Sequence, residues 1–500
     1  MGEYEKIEKT ITVYVPGNLC NLRCSYCYVT ECLMENHEQK PQFLYSVEHM
    51  IEAFRPERIG GIAHIVVIGG GETLIPDEVV PFVKGLLHLG HVVEVVTNNT
   101  LDHRIDELLE TPKEDLQRLI VKCSLHWNEL VRLNKVESYF ANIRKIVAAG
   151  ASSYPFLVIC DDYMSKLDEI CVICEREIGA LPHCTPCVIS ENRADFLRGG
   201  TAVTQPSCTP EFVQQIDEKF HSRLFQESVR FLEIDPQKVF CYAGKYAFIV
   251  RMNNGMVDKC HNISTEQCFF ENIDKPFECD YVGCECGIAS CGLQYNFFGM
   301  GMLPEVPDVP TYSEMLCNRE GLFQEEVKRL MDVKICKGDR ILTEAQRIEY
   351  LMDRVCEKNS EIEKLRRIEL KPAEIPNVEM VRILLAKVDA NELSYNELQG
   401  ITYEYLYEVY RVCCTMEQGD NLFISMLEKI YKGLLETHVY EGIDVLYDTA
   451  NACVLSKGIL KMPITVMAVC DELCDAMQMC LTEKNHEELA KIYFRQIKGW

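Results

Sequence analysis

The sequence predicts an α/β chain, with a parallel sheet under covering helices, then a small cysteine-rich module, then helices to the end. Three observations predict it. Apolar or β-branched runs alternate with helical stretches six times between residue 11 and about 190. Seven cysteines fall between Cys241 and Cys291 among short strands. From about 320 to 500 the apolar residues recur at three-and-four spacing. A strand, helix, strand repeat returns the chain to the same sheet end each time, so neighbouring strands run parallel. An open sheet and a partial barrel both satisfy this pattern, and in both the chemistry gathers at the carboxyl ends of the strands.

The strands are read in order as ITVYV (11–15), IAHIVVI (62–68), HVVEVV (91–96), LIVKCSL (119–125), PFLVIC (155–160) and CTPCVI (184–189). Helices are read at VVPFVKGLL (79–87), YFANIRKIVAA (139–149) and LDEICVICERE (167–177). The segments divide as 1–190 for the core, 191–235 for a helical bridge with a loop, 236–318 for the cysteine-rich module and 319–500 for a helical region. KYAFIV (245–250) reads as a strand of the module, followed by a turn at Asn254-Gly255. In the last region, KPAEIPNVE (371–379) reads as a joint between helices.

The formal net charge is −26 over 500 residues, with no basic run, which disfavours a nucleic-acid surface. No apolar run approaches a membrane span, and the start, MGEYEKIEKT, lacks the apolar core of a signal peptide. A cytoplasmic protein is expected. Its 27 cysteines are then reduced thiols that ligate metal, react, or pack as small apolar groups. Cys413, Cys414, Cys453, Cys470, Cys474 and Cys480 on helices fit packing. So do Cys171, Cys174, Cys184 and Cys187, although their C-x2-C-x9-C-x2-C string looks like a zinc ribbon, because they fall on an amphipathic helix and a sheet strand.

GNLCNLRCSYCYVT (17–30) follows the first strand and holds Cys20, Cys24 and Cys27 at C-x3-C-x2-C spacing. Four cysteines, one per iron, complete a ferredoxin-type [4Fe–4S] site. Three leave one iron open to another ligand. From the residues alone the loop is such a site, a zinc loop finished by a distant ligand, or three incidental thiols. The second strand ends in IGGGETL (68–74). The two motifs on consecutive strands resemble the radical S-adenosylmethionine (SAM) enzymes. That resemblance implies a partial (β/α)6 TIM-like barrel, with a [4Fe–4S] cluster on Cys20, Cys24 and Cys27. It also implies Tyr26 as the aromatic residue before the last cysteine, and Gly70, Gly71 and Glu72 as the Gly-Gly-Glu that meets SAM. SAM chelates the open iron, and reduction splits it to methionine and a 5′-deoxyadenosyl radical that abstracts a substrate hydrogen. Asn98, in the TNN that ends strand three, and Ser124, in the SLHW that ends strand four, are further candidate SAM contacts. Arg132 resembles a downstream arginine of some relatives, at a different spacing. His126, Asp161 and Asp162 stand near strand ends as candidate acids or bases.

Cys241 to Cys260 reads C-x13-G-x4-C, with Gly255 in the hairpin turn. It resembles the first half of the SPASM or twitch extension of these enzymes. The second half departs from that pattern: Cys279, Cys284, Cys286 and Cys291 are spaced by four, one and four residues, and Cys317 follows. One or two auxiliary [4Fe–4S] clusters on these cysteines are expected, with Cys268 a bystander and a zinc knuckle the alternative. The subgroup often modifies peptides, so a peptide is the expected substrate, with a carbohydrate or small metabolite as the alternative. A reductant such as flavodoxin or ferredoxin is the implied partner. A non-catalytic iron–sulfur carrier or scaffold is the reading of a different class.

Overall fold

The computed structural model describes residues 6–429 with gaps. Residues 1–5, 18, 28–40, 187, 191–203, 207–208, 233–238, 261–262, 285, 287–294, 316–318, 372–374, 391, 395–396, 398–402, 414, 417–421, 424, 427–428 and 430–500 lie outside the described set. Cys291, Cys317, Cys187, Cys414, Cys453, Cys470, Cys474 and Cys480 fall there.

Alternation along each strand sends successive side chains to opposite sheet faces. In β1 (Lys9–Val15), β2 (Ala63–Gly69), β3 (Val92–Thr97), β4 (Leu119–Ser124), β5 (Ser152–Ile159) and β6 (His183–Pro186), one face is Ile11, Val13, Val15, Ile65, Val67, Val93, Val95, Leu119, Val121 and Leu157. These side chains share a buried core with the apolar stripes of α1 (Val79–His88), α2 (Asp102–Leu109), α4 (Val136–Ala149) and α5 (Leu167–Ile178). α3 (Trp127–Arg132) lies between α2 and α4 in the chain and adds Trp127 and Leu130 to that core. The strands pair in sequence order and all parallel, with registers such as Thr10 to His64, Val95 to Val121 and Ser124 to Phe156. This is the partial barrel of six parallel strands, left unclosed.

Two strand boundaries differ from the sequence reading. β5 begins at Ser152 rather than Pro155, because Ser152 and Ser153 are fully buried against β4 despite their polarity. CTPCVI does not form one strand. β6 stops at Pro186, and β7 (Val188–Ser190) pairs antiparallel with β8 (Thr204–Pro206) in a separate two-stranded sheet. A proline nitrogen has no hydrogen to donate, which suits the end of a ladder.

The cysteine-rich module extends the core sheet. β9 (Ala247–Arg251) pairs parallel with β1, and β10 (Met256–Cys260) and β11 (Ile263–Cys268) add antiparallel, giving nine strands in the order β11-β10-β9-β1-β2-β3-β4-β5-β6. Gly255, at φ 75°, makes the β9–β10 turn, and a Cβ there would lie 2.8 Å from Cys268 Sγ. Cys171, Cys174 and Cys184 are buried in the helix-side core, as the packing reading expects. Two short helices follow the module, α6 (Tyr295–Gly299) and α7 (Tyr312–Met315).

The chain divides into two compact units, Met1–Arg347 and Ile348–Trp500. In the second, α8 (Glu344–Arg366, beginning just before the boundary), α9 (Val378–Ala390) and α10 (Tyr403–Cys413) are helical, as the periodicity predicts. Lys387 Nζ meets the buried Glu397 Oε1 at 2.9 Å. Burial alone would raise that carboxyl, but Lys387 and the N–H groups of Ser394 and Leu370 bring it to about 2. Among the described residues no helix is long and apolar enough to cross a membrane.

Candidate cofactor site at the carboxyl ends of the strands

The loop bearing Cys20, Cys24 and Cys27 leaves the carboxyl end of β1 and is tied to three strand ends. The first tie is to the glycine turn after β2. Gly70 N–H donates to Val15 O at 3.2 Å, and Glu72 N–H to Leu19 O at 2.9 Å. A Cβ on Gly70 would stand 2.4 Å from Tyr14 Oη and 2.7 Å from Gly17 O. Only glycine lets the two backbones approach this closely. Between them lies a crevice of about 220 Å³ open to solvent, lined by Val15, Gly17, Leu19, Gly71, Glu72 and Pro76 among others.

Glu72 is buried and faces β3. It accepts Thr97 Oγ1 at 2.5 Å, Asn98 N–H at 2.8 Å and Leu74 N–H at 3.1 Å. Burial pushes its carboxyl above the ordinary value, against the pull of these three donors. The second tie is Asn98, whose amide donates to Asn21 Oδ1 at 2.7 Å and reaches 4.0 Å from Cys20 Sγ. Its carbonyl accepts from Thr100 Oγ1 at 2.6 Å, and that hydroxyl accepts in turn from Asn21 Nδ2 at 2.7 Å. Asn21, Asn98 and Thr100 thus close a polar ring beside the first cysteine.

The third tie is at the end of β4. Tyr26 Oη and His126 Nδ1 are 2.7 Å apart, and Tyr163 donates to Tyr26 Oη at 3.2 Å. Burial lowers His126 to about 4, which leaves a neutral ring able to accept the Tyr26 proton. In α3, Glu129 accepts the Arg23 N–H at 2.7 Å and holds Arg132 in a bidentate pair at 2.7 and 2.8 Å. Ser25 donates to Asp162 at 3.0 Å. Asp161 opens the short helix Asp161–Lys166. Ser124 ends β4, half-buried.

The structure therefore brings Cys20, Cys24, Cys27, Tyr26, Gly70, Gly71, Glu72, Asn98, His126 and Asp162 to one end of the sheet. Sequence reasoning missed Asn21, Thr100, Glu129 and Tyr163. Arg132 is present, acting on Glu129. A carboxylate three residues before an arginine on a short helix was the available signal for that pair.

The cysteines suit an iron–sulfur cluster. Burial, with each neighbouring thiolate adding to it, raises Cys24 to about 12, and burial raises Cys20 to about 11. Such thiols ionise together only beside strong positive charge. Leu22 N–H points at Cys20 Sγ from 3.5 Å, a donor suited to a ligating sulfur. Among the described residues no three His, Cys, Asp or Glu side chains converge on a point as for a single metal ion.

In the module, Cys241 and Gly283 exchange backbone hydrogen bonds at 2.9 Å, which draws the hairpin and the Cys279–Cys286 loop together. Cys241, Cys260, Cys279 and Cys286 are buried, while Cys284 is exposed. Cys268 donates to Asn254 O at 3.2 Å, within the turn.

Residues 14–121 match the sequence model of the Radical SAM superfamily. No curated protein is significantly similar in sequence. Among solved structures, the chain is similar to Streptococcus suis SuiB bound to S-adenosylmethionine, with TM-score 0.39 and 11% identity over 54% of this chain and 66% of that one. It is also similar to SuiB bound to the precursor peptide SuiA, with TM-score 0.36 and 15% identity over 53% and 64%. A third is anSMEcpe with bound AdoMet and Cp18Cys peptide, with TM-score 0.35 and 13% identity over 70% and 99%. The chain thus spans just under two thirds of SuiB, and similarity at this level transfers no function. The segment that matches the Radical SAM superfamily model contains the cysteine loop, the Gly-Gly-Glu turn and β3.

Proposed function

We propose that this protein is a radical SAM enzyme that modifies a peptide. One observation carries the reading: the three-cysteine loop is clamped by backbone hydrogen bonds to the Gly-Gly-Glu turn, at the carboxyl edge of a partial barrel. Cys20, Cys24 and Cys27 would hold a [4Fe–4S] cluster. Tyr26, Gly70, Gly71, Glu72, Asn98 and Ser124 would surround SAM. When bound, cluster and SAM supply a 5′-deoxyadenosyl radical that takes a hydrogen atom from the substrate.

The chain's own residues do the positioning. Gly70 lets the turn touch the cysteine loop. Glu72, fixed by Thr97, Asn98 and Leu74, presents a buried carboxylate beside the crevice, where an ammonium group would find a partner. The asparagine ring and the Tyr163–Tyr26–His126 chain hold the loop from β3 and β4.

The peptide reading rests on the C-x13-G-x4-C hairpin and on the subgroup it resembles. Auxiliary clusters on Cys241, Cys260, Cys279, Cys284, Cys286, Cys291 and Cys317 belong to that reading, as does electron supply from flavodoxin or ferredoxin. Peptides also occur in the solved SuiB and anSMEcpe complexes. The test is anaerobic reconstitution with iron and sulfide, then SAM and dithionite. Formation of 5′-deoxyadenosine supports the enzyme. Bound clusters with SAM left intact support the electron-carrier reading instead.

A further inference from the structure

The sheet face opposite the helices is a polar wall. Alternate positions along the strands place Thr10, Thr12, His64 and Glu94 there, opposite the aliphatic set. Its lower part is sealed. Asn296 of α6 donates to Thr10 Oγ1 at 2.9 Å, and Tyr312 of α7 donates to Glu94 Oε2 at 2.5 Å. Toward the carboxyl ends of β1 and β9 the same face opens. Tyr14 is half-buried and the Arg251 side chain is 48% exposed, whereas Thr12 and Ile249, two residues back on the same strands, are buried.

Tyr14 and Arg251 are partners in the β1–β9 register, so both side chains leave the sheet on this face, at its cofactor edge. Val13 and Val250, one residue back, enter the helix-side core instead. Tyr14 Oη reaches the glycine turn, where a Cβ on Gly70 would stand 2.4 Å from it. That hydroxyl makes no hydrogen bond among the described residues. Burial raises the phenol while Arg251 draws it back, so the two groups feel one another and the phenol keeps a proton to donate. Arg251 is itself held in place. Its Nε and Nη2 donate to Asp258 at 2.9 and 3.3 Å, and Asp258 stands on β10 in register with Ile249. Nη1 has no partner among the described residues. A carboxylate that grips one edge of a planar guanidinium fixes the direction of the remaining N–H groups. The wall thus presents an aimed guanidinium edge and an unused phenol O–H, side by side, next to the Gly-Gly-Glu turn.

We infer that Tyr14 and Arg251 form a subsite that binds a carboxylate of the peptide, where the barrel meets the cysteine-rich module. This rests on the proposed peptide-modifying function. A carboxylate has two acceptor oxygens, enough to take the guanidinium edge and the hydroxyl together, and charge-assisted hydrogen bonds of this kind are strong enough to set a preference. Ile68, in register with Tyr14 on its other side, brings no competing charge. SAM also carries a carboxylate, but neither Tyr14 nor Arg251 lines the crevice beside Glu72. The subsite therefore serves the second ligand of the site.

The experiment offers the reconstituted full-length protein, with SAM and no reductant, two randomised heptapeptide libraries, one with free and one with amidated C-termini. Retained peptides are separated by gel filtration and sequenced by mass spectrometry, and SAM affinity is measured alongside. Enrichment of Asp and Glu in the amidated library assigns a side-chain carboxylate. Retention confined to the free-acid library assigns the C-terminus. Arg251→Gln should lose the preference about tenfold or more and Tyr14→Phe about threefold, with SAM affinity unchanged in both. Because Arg251→Gln leaves Asp258 without its ion pair, Arg251→Gln/Asp258→Asn removes both charges together and should lose the preference as fully. Arg251→Glu/Asp258→Asn should turn the preference toward Lys and Arg, a gain that a merely misfolded variant cannot show. An acid preference that survives in Arg251→Gln/Asp258→Asn overturns the inference, and a loss of SAM affinity beside it gives the subsite to SAM. Retained peptides with no acid preference in either library overturn it and leave the peptide reading standing. No retained peptide in either library, with SAM still bound, overturns both.

Discussion

Tyr26 and His126, one hundred residues apart, share a hydrogen bond of 2.7 Å that joins the cysteine loop to the end of β4. Their rings are tilted at 6.0 Å, and Tyr163 extends the chain from the far side at 3.2 Å. The residue before the third cysteine is thereby anchored to the barrel rather than lying on a mobile loop.

Tyr26→Phe removes the hydroxyl and leaves a buried ring nitrogen without its donor. We expect a loss of about 1–2 kcal/mol, read from the urea midpoint of the anaerobic protein. His126→Ala should cost a similar amount, and the double variant less than the sum. Additive losses would show that the two side chains do not act together.

Gly70→Ala places a methyl group against Tyr14 Oη and the backbone oxygen of Gly17. Such overpacking costs about 1–3 kcal/mol and moves the turn off the cysteine loop. Circular dichroism should stay that of the folded barrel while 5′-deoxyadenosine formation falls at least tenfold. Adding Tyr14→Phe should not restore it, because Gly17 O remains. Full activity in Gly70→Ala would show that the close approach is dispensable.

Arg132 acts on the loop through Glu129. Its bidentate hydrogen bonds are the largest cause holding the Glu129 carboxyl below 4.5; burial opposes them and Arg23 N–H helps. A carboxyl lower in the folded than the unfolded state stabilises above the unfolded pKa, and the gain is lost as pH falls through the folded value. The stability gap between the cluster-free wild type and Arg132→Ala should therefore be largest at neutral pH and close progressively below about 4.5. A gap independent of pH would assign Arg132 a packing role.

Asn98→Asp exchanges an N–H donor 4.0 Å from Cys20 Sγ for a negative charge. Negative charge beside a cluster ligand disfavours the reduced, more negative state. An EPR-monitored titration should show a lower reduction potential for the three-cysteine cluster, with iron content unchanged. An unaltered potential would place Asn98 away from the cluster's influence.

Much of this architecture was legible in the sequence, because six buried parallel strands are written as aliphatic runs such as IVVI and VVEVV. The cysteine loop and the glycine turn were legible because unusual residue types sit at fixed offsets. The polar wall was not. Glu94 stands alone in an aliphatic strand, and its partner Tyr312 is 218 residues away on a helix of four residues. A single carboxylate in a buried strand signals that a partner exists without naming it. The extension of the core sheet by β9 was likewise hidden, since KYAFIV pairs with β1 across more than two hundred residues. The spacing of Glu129 and Arg132 signalled their pair, but the tie from Glu129 to the cysteine loop is to the Arg23 backbone N–H, which carries no residue signature.

The central claim is tested most directly by anaerobic iron and sulfide analysis with SAM cleavage, on wild type and on the triple Cys20→Ala, Cys24→Ala, Cys27→Ala variant. The account predicts that wild type forms 5′-deoxyadenosine, and that the triple variant loses one [4Fe–4S] equivalent and all cleavage while any remaining iron stays bound. Equal iron content in the two proteins, or a wild type that holds its clusters and leaves SAM whole, would contradict it.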